Sequence, residues 1–327
     1  MVINTFSTAY LLLAVIALGL GLGGGLTGWR IGRQWQAGQS SERQYELEKR
    51  SYLAVMLATA ALAIRVFLAP LWFWTLGSLV HEVPGAMCLT GVHMVNPAVG
   101  FTATGLKLVV PMAYGYWLLV NAVDRRIETQ PLMKYKLGIL LPLALLLVVD
   151  SACDLRFLTS IQARQVSCCT SLFDAPGRSM AVALPVTMGK SAALLCLAAS
   201  SLLVGGLTRP RSRASSAVIA ALGIIGLPLY VVALHGYLCP VLLHAPFHHC
   251  AFCVWQDLWD MRLATFLLLG GLSAATIHGL VALQPVALAN ASSARLMNTV
   301  RKLAALAVAL GALIVCVHLV LVSLNAV

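Results

Sequence analysis

Eight stretches of about twenty or more mostly apolar residues, at roughly 8–27, 52–79, 98–123, 137–155, 180–206, 216–239, 262–285 and 303–324, take up nearly all of this 327-residue chain. A helix needs about 20 apolar residues to cross a bilayer, and lipid obliges the backbone to satisfy its own hydrogen bonds. With 60% hydrophobic and 10% charged residues, the chain lies outside the range of soluble globular domains. The expected fold is all-α, a polytopic membrane bundle of about eight transmembrane helices making one integral domain over 1–327, with the lipid bilayer as its solvent.

A net charge of +11 would invite a nucleic-acid reading, but the basic residues alternate by loop. The first, third, fifth and seventh connections hold 15 Lys and Arg; the others hold 3, namely Arg156, Arg164 and Arg178. Basic loops stay cytoplasmic, so both termini are expected on the outer, periplasmic side, and no nucleic-acid partner is expected. The first stretch has no Lys or Arg before Arg30 and no clear small-residue cleavage site, so a retained helix is expected rather than a signal peptide. Compact loops point to a multi-pass protein of a bacterial inner membrane, with an oxidising periplasm outside.

Gly19, Gly21 and Gly24 formally match GxGxxG, yet no strand precedes them inside an apolar span, so the dinucleotide reading fails. Gly21 and Gly25, spaced as GxxxG, instead predict close helix packing. The charged segment 30–50, with Glu46 and Arg50 four apart, predicts a solvated helical extension. Lys107 lies 19 residues after Cys88 and Lys190 lies 21 after Cys169, an echo that outlines candidate hairpin repeats at 52–123, 137–206 and 216–285.

The nine cysteines are unevenly placed. Seven are expected at the outer face: Cys88, Cys153, Cys168, Cys169, Cys239, Cys250 and Cys253. Cys196 and Cys316 fall within spans. Soft ligands gather with them: His81, His93, His244, His248 and His249, together with Met87 and Met94.

The stretch HAPFHHCAFCVW, residues 244–255, is the centre of this cluster. Cys250 and Cys253 form a Cys-x-x-Cys, a spacing that lets two thiols close a small disulfide or clasp one metal ion. His235 and Cys239, four apart, would share a helix face. Thiolate and imidazole near thioether suit Cu(I), and Cys with His also suits Zn(II). The expected metal ligands are Cys88, Cys168, Cys169, Cys239, His244, His248, His249, Cys250 and Cys253.

The same thiols admit two other readings. Cys250 with Cys253 and the vicinal Cys168 with Cys169 could exchange disulfides, or the cysteines could be structural staples, leaving the chain a non-catalytic subunit of a larger membrane complex. The Cys-x-x-Cys followed closely by a helix containing Arg262 is loosely similar to quinone-coupled disulfide-forming membrane proteins, over about a dozen residues. That similarity would imply electron transfer from the thiols to a quinone; the eight spans and the histidine cluster depart from the four-helix family. A periplasmic metal- or thiol-carrying protein is the expected partner in the first two readings.

Charges within the spans are costly. Asp150, Cys153 and Asp154 share a face by their spacing, while Arg65, Lys107 and Lys190 fall near the middle of spans. With Asp150 as their obvious partner, the cations leave a surplus that could hold a quinone oxygen, a lipid phosphate or a substrate carboxylate, unless backbone carbonyls and snorkelling absorb it. His278 and His318 raise a bis-histidine haem, but they fall at different depths, and helix–helix contacts are expected of them. No HExxH or GxSxG appears, which disfavours a protease or lipase.

Overall fold

A computed structural model of the chain describes residues 4–36, 41–161, 166, 186–208, 212–246, 248–284 and 291–325. Among the described residues all regular structure is helical, and eight helices are long and apolar enough to cross a membrane. The protein is thus an all-α, multi-pass membrane protein. The chain divides into two compact units, Met1–Val166 and Ser167–Val327, and this boundary falls inside the second of the expected hairpins.

The first unit contains α1 (Thr5–Gln34), α2 (Glu42–Leu79), the short α3 (Leu89–His93), α4 (Pro97–Asp124) and α5 (Met133–Ser160). Helix α1 lies against both α2 and α5. A Cβ on Gly25 would stand 2.5 Å from Ala144 Cβ and 3.0 Å from the Leu140 carbonyl oxygen, so α5 can approach only because that carbon is missing. Gly21 meets Leu147 on the same helix, which bears out the GxxxG packing.

The second unit contains α6 (Val186–Thr208), α7 (Arg213–Ala233), a π-helical turn over Leu234–Leu238, α8 (Cys239–Leu242), α9 (Ala251–Asp257), α10 (Trp259–Ala282) and α11 (Ala291–Asn325). Helix α10 packs between α7 and α11. Its Leu268, Leu272 and Ala275 join Ile219 of α7 and Val308 of α11 in one apolar core.

Several helices outrun their apolar stretches. Helix α2 begins at Glu42, capped by the Ser41 hydroxyl, which accepts from the Gln44 N–H. In its first turns Glu46 and Arg50 face solvent 3.7 Å apart, as a solvated extension requires. Helix α5 continues to Ser160, and the path from α7 continues through the π turn to Leu242. Cys153 and Cys239, expected at the outer ends of their spans, accordingly sit within helices. Lys190 shifts the other way: it is exposed in the first turns of α6, not at mid-span.

Candidate metal and thiol site

Pro240 shapes the local backbone ahead of the Cys-x-x-Cys. Having no N–H, it cannot continue a helical hydrogen-bond ladder. The chain answers with the π turn, in which the Cys239 N–H donates to the Leu234 carbonyl, and π turns inside α-helices are frequent at functional sites. Gly236 in this turn lies so close to Gly189 of α6 that a Cβ on it would stand 2.9 Å from the Gly189 Cα.

The segment then turns back. His244 is exposed with φ +51°, and His248 and His249 return to buried positions. The Nδ1–H of His249 donates to the His235 carbonyl at 2.7 Å, and the Nδ1–H of His235 donates to the His249 carbonyl at 2.8 Å. A carbonyl only accepts, so both rings carry a proton on Nδ1.

Cys250 follows at once, as the N-cap residue of α9, with Cys253 in that helix's first turn. Cys250 is 1% exposed and Cys253 half-buried. The short helix is pinned from its other face. Phe252 and Trp255 pack edge to face at 5.0 Å, and the Trp255 indole N–H donates to the Thr265 hydroxyl of α10 at 3.2 Å. The remaining thiol of interest, Cys88, is buried at the N-cap of α3 in the first unit. Within the second unit, the sulfurs of Cys250 and Cys253 lie within 4.8 Å of each other, close enough to share one metal ion.

Of the other expected ligands, Cys239 lies near enough to Cys250 for their charges to interact. Cys239 is fully buried in the apolar core with Leu238 and Leu242. His249 has its Nδ1 engaged by His235, and His244 faces outward. Cys168 and Cys169 lie outside the described residues.

At the end of α3, His93 forms a defined network. The Trp72 indole N–H donates to the Thr104 hydroxyl at 2.9 Å, Thr104 lies 2.7 Å from His93 Nε2, and His93 Nδ1 lies 2.7 Å from the Leu89 carbonyl. Leu89 can only accept, so Nδ1 bears the proton and Nε2 accepts from Thr104. The ring stacks on Phe101 at 4.9 Å. Burial pushes the His93 imidazole below its usual range, outweighing the opposing effects of the Leu89 carbonyl and Cys88.

The intramembrane cations correct the expectation of a surplus. Arg65 lies 2.8 Å from Asp150, and Lys107 lies 2.5 Å from Asp150 and 2.7 Å from Asp154. All four are less than a tenth exposed. Two cations meet two carboxylates, so Arg65 and Lys107 have no charge to spare for an anionic ligand. Ser151 accepts from Arg65, and the Tyr10 hydroxyl donates to Asp154 at 2.8 Å. Asp154 was visible on the Asp150 face through its i, i+4 spacing, but Tyr10 and Ser151 carried no sequence signal of this role. A second buried pair, Lys136 with Asp124 at 2.8 Å, closes the α4–α5 connection.

His318 of α11 lies 2.6 Å from Asp260 of α10, the helix–helix contact expected of it. No family model, curated protein or solved structure matches this chain.

Proposed function

We propose that this membrane protein captures a soft metal ion through Cys250 and Cys253 and holds it for transport or for delivery to a partner. One observation carries the reading: the Cys250 and Cys253 sulfurs lie within 4.8 Å of each other, close enough to share one ion. Thiolates select soft or borderline ions, Cu(I) foremost and Zn(II) next. The lopsided distribution of basic residues supports an outward-facing site and a periplasmic metal-carrying partner, in the inner membrane of a bacterium. Capture is better supported than passage, because Cys196 and Cys316 make a sparse path for a soft ion through the helices.

The test is elemental analysis by plasma mass spectrometry of full-length protein purified anaerobically without chelator, beside a free-thiol count. About one soft metal ion per chain is expected, lost in Cys250→Ser/Cys253→Ser. Metal-free protein whose thiols trade disulfides with an added dithiol would replace this reading with thiol–disulfide exchange. Metal-free protein with inert thiols would leave the cysteines a structural role.

A further inference from the structure

The π turn leaves one backbone group without a helical partner. In an α-helix the His235 carbonyl would accept from the Cys239 N–H, but that N–H is given to Leu234. One residue further on, in the π register, the donor would be residue 240, a proline with no N–H. A carbonyl stranded in an apolar bundle is costly. The Nδ1–H of His249 reaches back across 14 residues to satisfy it, and His235 returns the bond to the His249 carbonyl.

The two bonds fasten residue 249 to the end of α7, and residue 250 is the first thiol of the Cys-x-x-Cys. Pro240, the π turn, His235 and His249 thus act together, and each has a defined part. Proline frees the carbonyl, the π turn leaves it free, and the imidazoles close the clamp.

We infer that His235 is a positioning residue for the thiol site: it holds His249, and through it Cys250, in register with the end of α7. The inference rests on the metal-capture reading above and adds to it the part that orients a ligand. Residues that orient metal ligands by hydrogen bonding commonly change affinity when replaced, without touching the ion.

Cu(I) affinity of the full-length protein, measured anaerobically by competition with a chromophoric chelator, tests it. His235→Phe removes the donor and is expected to weaken binding about tenfold. His235→Asn offers an amide N–H in place of Nδ1–H but no imidazole lone pair, and is expected to restore binding close to that of the parent protein. Binding in His235→Phe equal to the parent overturns the clamp; binding in His235→Asn as weak as in His235→Phe overturns it too, because His235 would then act as a ligand.

Maleimide labelling of Cys250, read by mass spectrometry on the same three proteins, separates the two ideas. If the parent protein binds no Cu(I), the metal reading fails and labelling alone judges the clamp. Cys250 exposed in His235→Phe and protected in His235→Asn upholds the clamp, and equal labelling in all three overturns it. Should His235→Phe not fold, Pro240→Ala decides, since it keeps both imidazoles and supplies an N–H that competes for the His235 carbonyl. Weakened Cu(I) binding or increased Cys250 labelling in that variant supports the clamp; parent-like values of both overturn it.

Discussion

Lys107 Nζ lies 2.7 Å from one carboxylate oxygen of Asp154 and 2.8 Å from the other, so one ammonium grips both. The same nitrogen reaches Asp150 and stands 5.1 Å above the Trp72 ring, a favourable site for a cation with little access to water. Four helices contribute to the cluster: Tyr10 from α1, Arg65 from α2, Lys107 from α4, and Asp150 and Asp154 from α5.

Charge balance is therefore expected to dominate the stability of this unit. Lys107→Met leaves Arg65 facing two carboxylates and is expected to cost about 3–5 kcal/mol, as when one partner of a buried pair is removed. Lys107→Met/Asp154→Asn restores one cation to one carboxylate and should unfold at a higher temperature than Lys107→Met. Thermal unfolding in detergent checks this; a double variant weaker than Lys107→Met would show that shape, not charge, holds the cluster.

Two glycines of α1 should respond in opposite ways. Gly25→Ala sets a methyl 2.5 Å from Ala144 and is expected to cost about 1–3 kcal/mol through overpacking. At Gly19 nothing stands within 4 Å of the added carbon, so Gly19→Ala should be neutral or gain up to about 1 kcal/mol from helix propensity. Equal melting temperatures for the two variants would contradict the close α1–α5 contact.

Thr104 serves two partners at once. Thr104→Val keeps the shape while leaving the Trp72 indole N–H and His93 Nε2 without their shared hydroxyl. A loss of about 1–3 kcal/mol is expected for each buried group so stranded. Indole fluorescence should shift with it, reporting the changed surroundings of Trp72.

Acid should loosen the α3 region through His93. Its folded-state pKa is lowered by burial, so the unfolded chain binds the extra proton first. The stability held by the neutral ring is present above the usual histidine range, near about 6.5, and is lost as pH falls through it. His93→Asn keeps a donor for the Leu89 carbonyl but does not titrate. Its melting temperature should fall less than the parent's between about pH 7 and pH 5; parallel slopes would remove His93 as the source.

The helices were legible because lipid leaves a sequence few choices. A long apolar run must be helical, and the charged run ahead of the apolar core of α2 announced its extension, whereas α5 continues to Ser160, past its apolar core. The charge cluster was half legible. Asp150 and Asp154 share a face by spacing, but pairing both with Arg65 and Lys107 requires knowing which helices are neighbours. The histidine clamp was not legible from His235 and Cys239, whose i, i+4 spacing assumes an unbroken α-helix. Pro240 was the available warning that the ladder changes there.

The order of the charges along the chain bears on how the protein is made. Both cations of the buried cluster, Arg65 and Lys107, are synthesised before α5 supplies either carboxylate. Two nascent helices must wait, each carrying an uncompensated charge, until the fifth arrives. A ribosome stalled after α4 is expected to leave an intermediate poorly suited to lipid and open to membrane quality control, because the charges it carries have not yet met their partners.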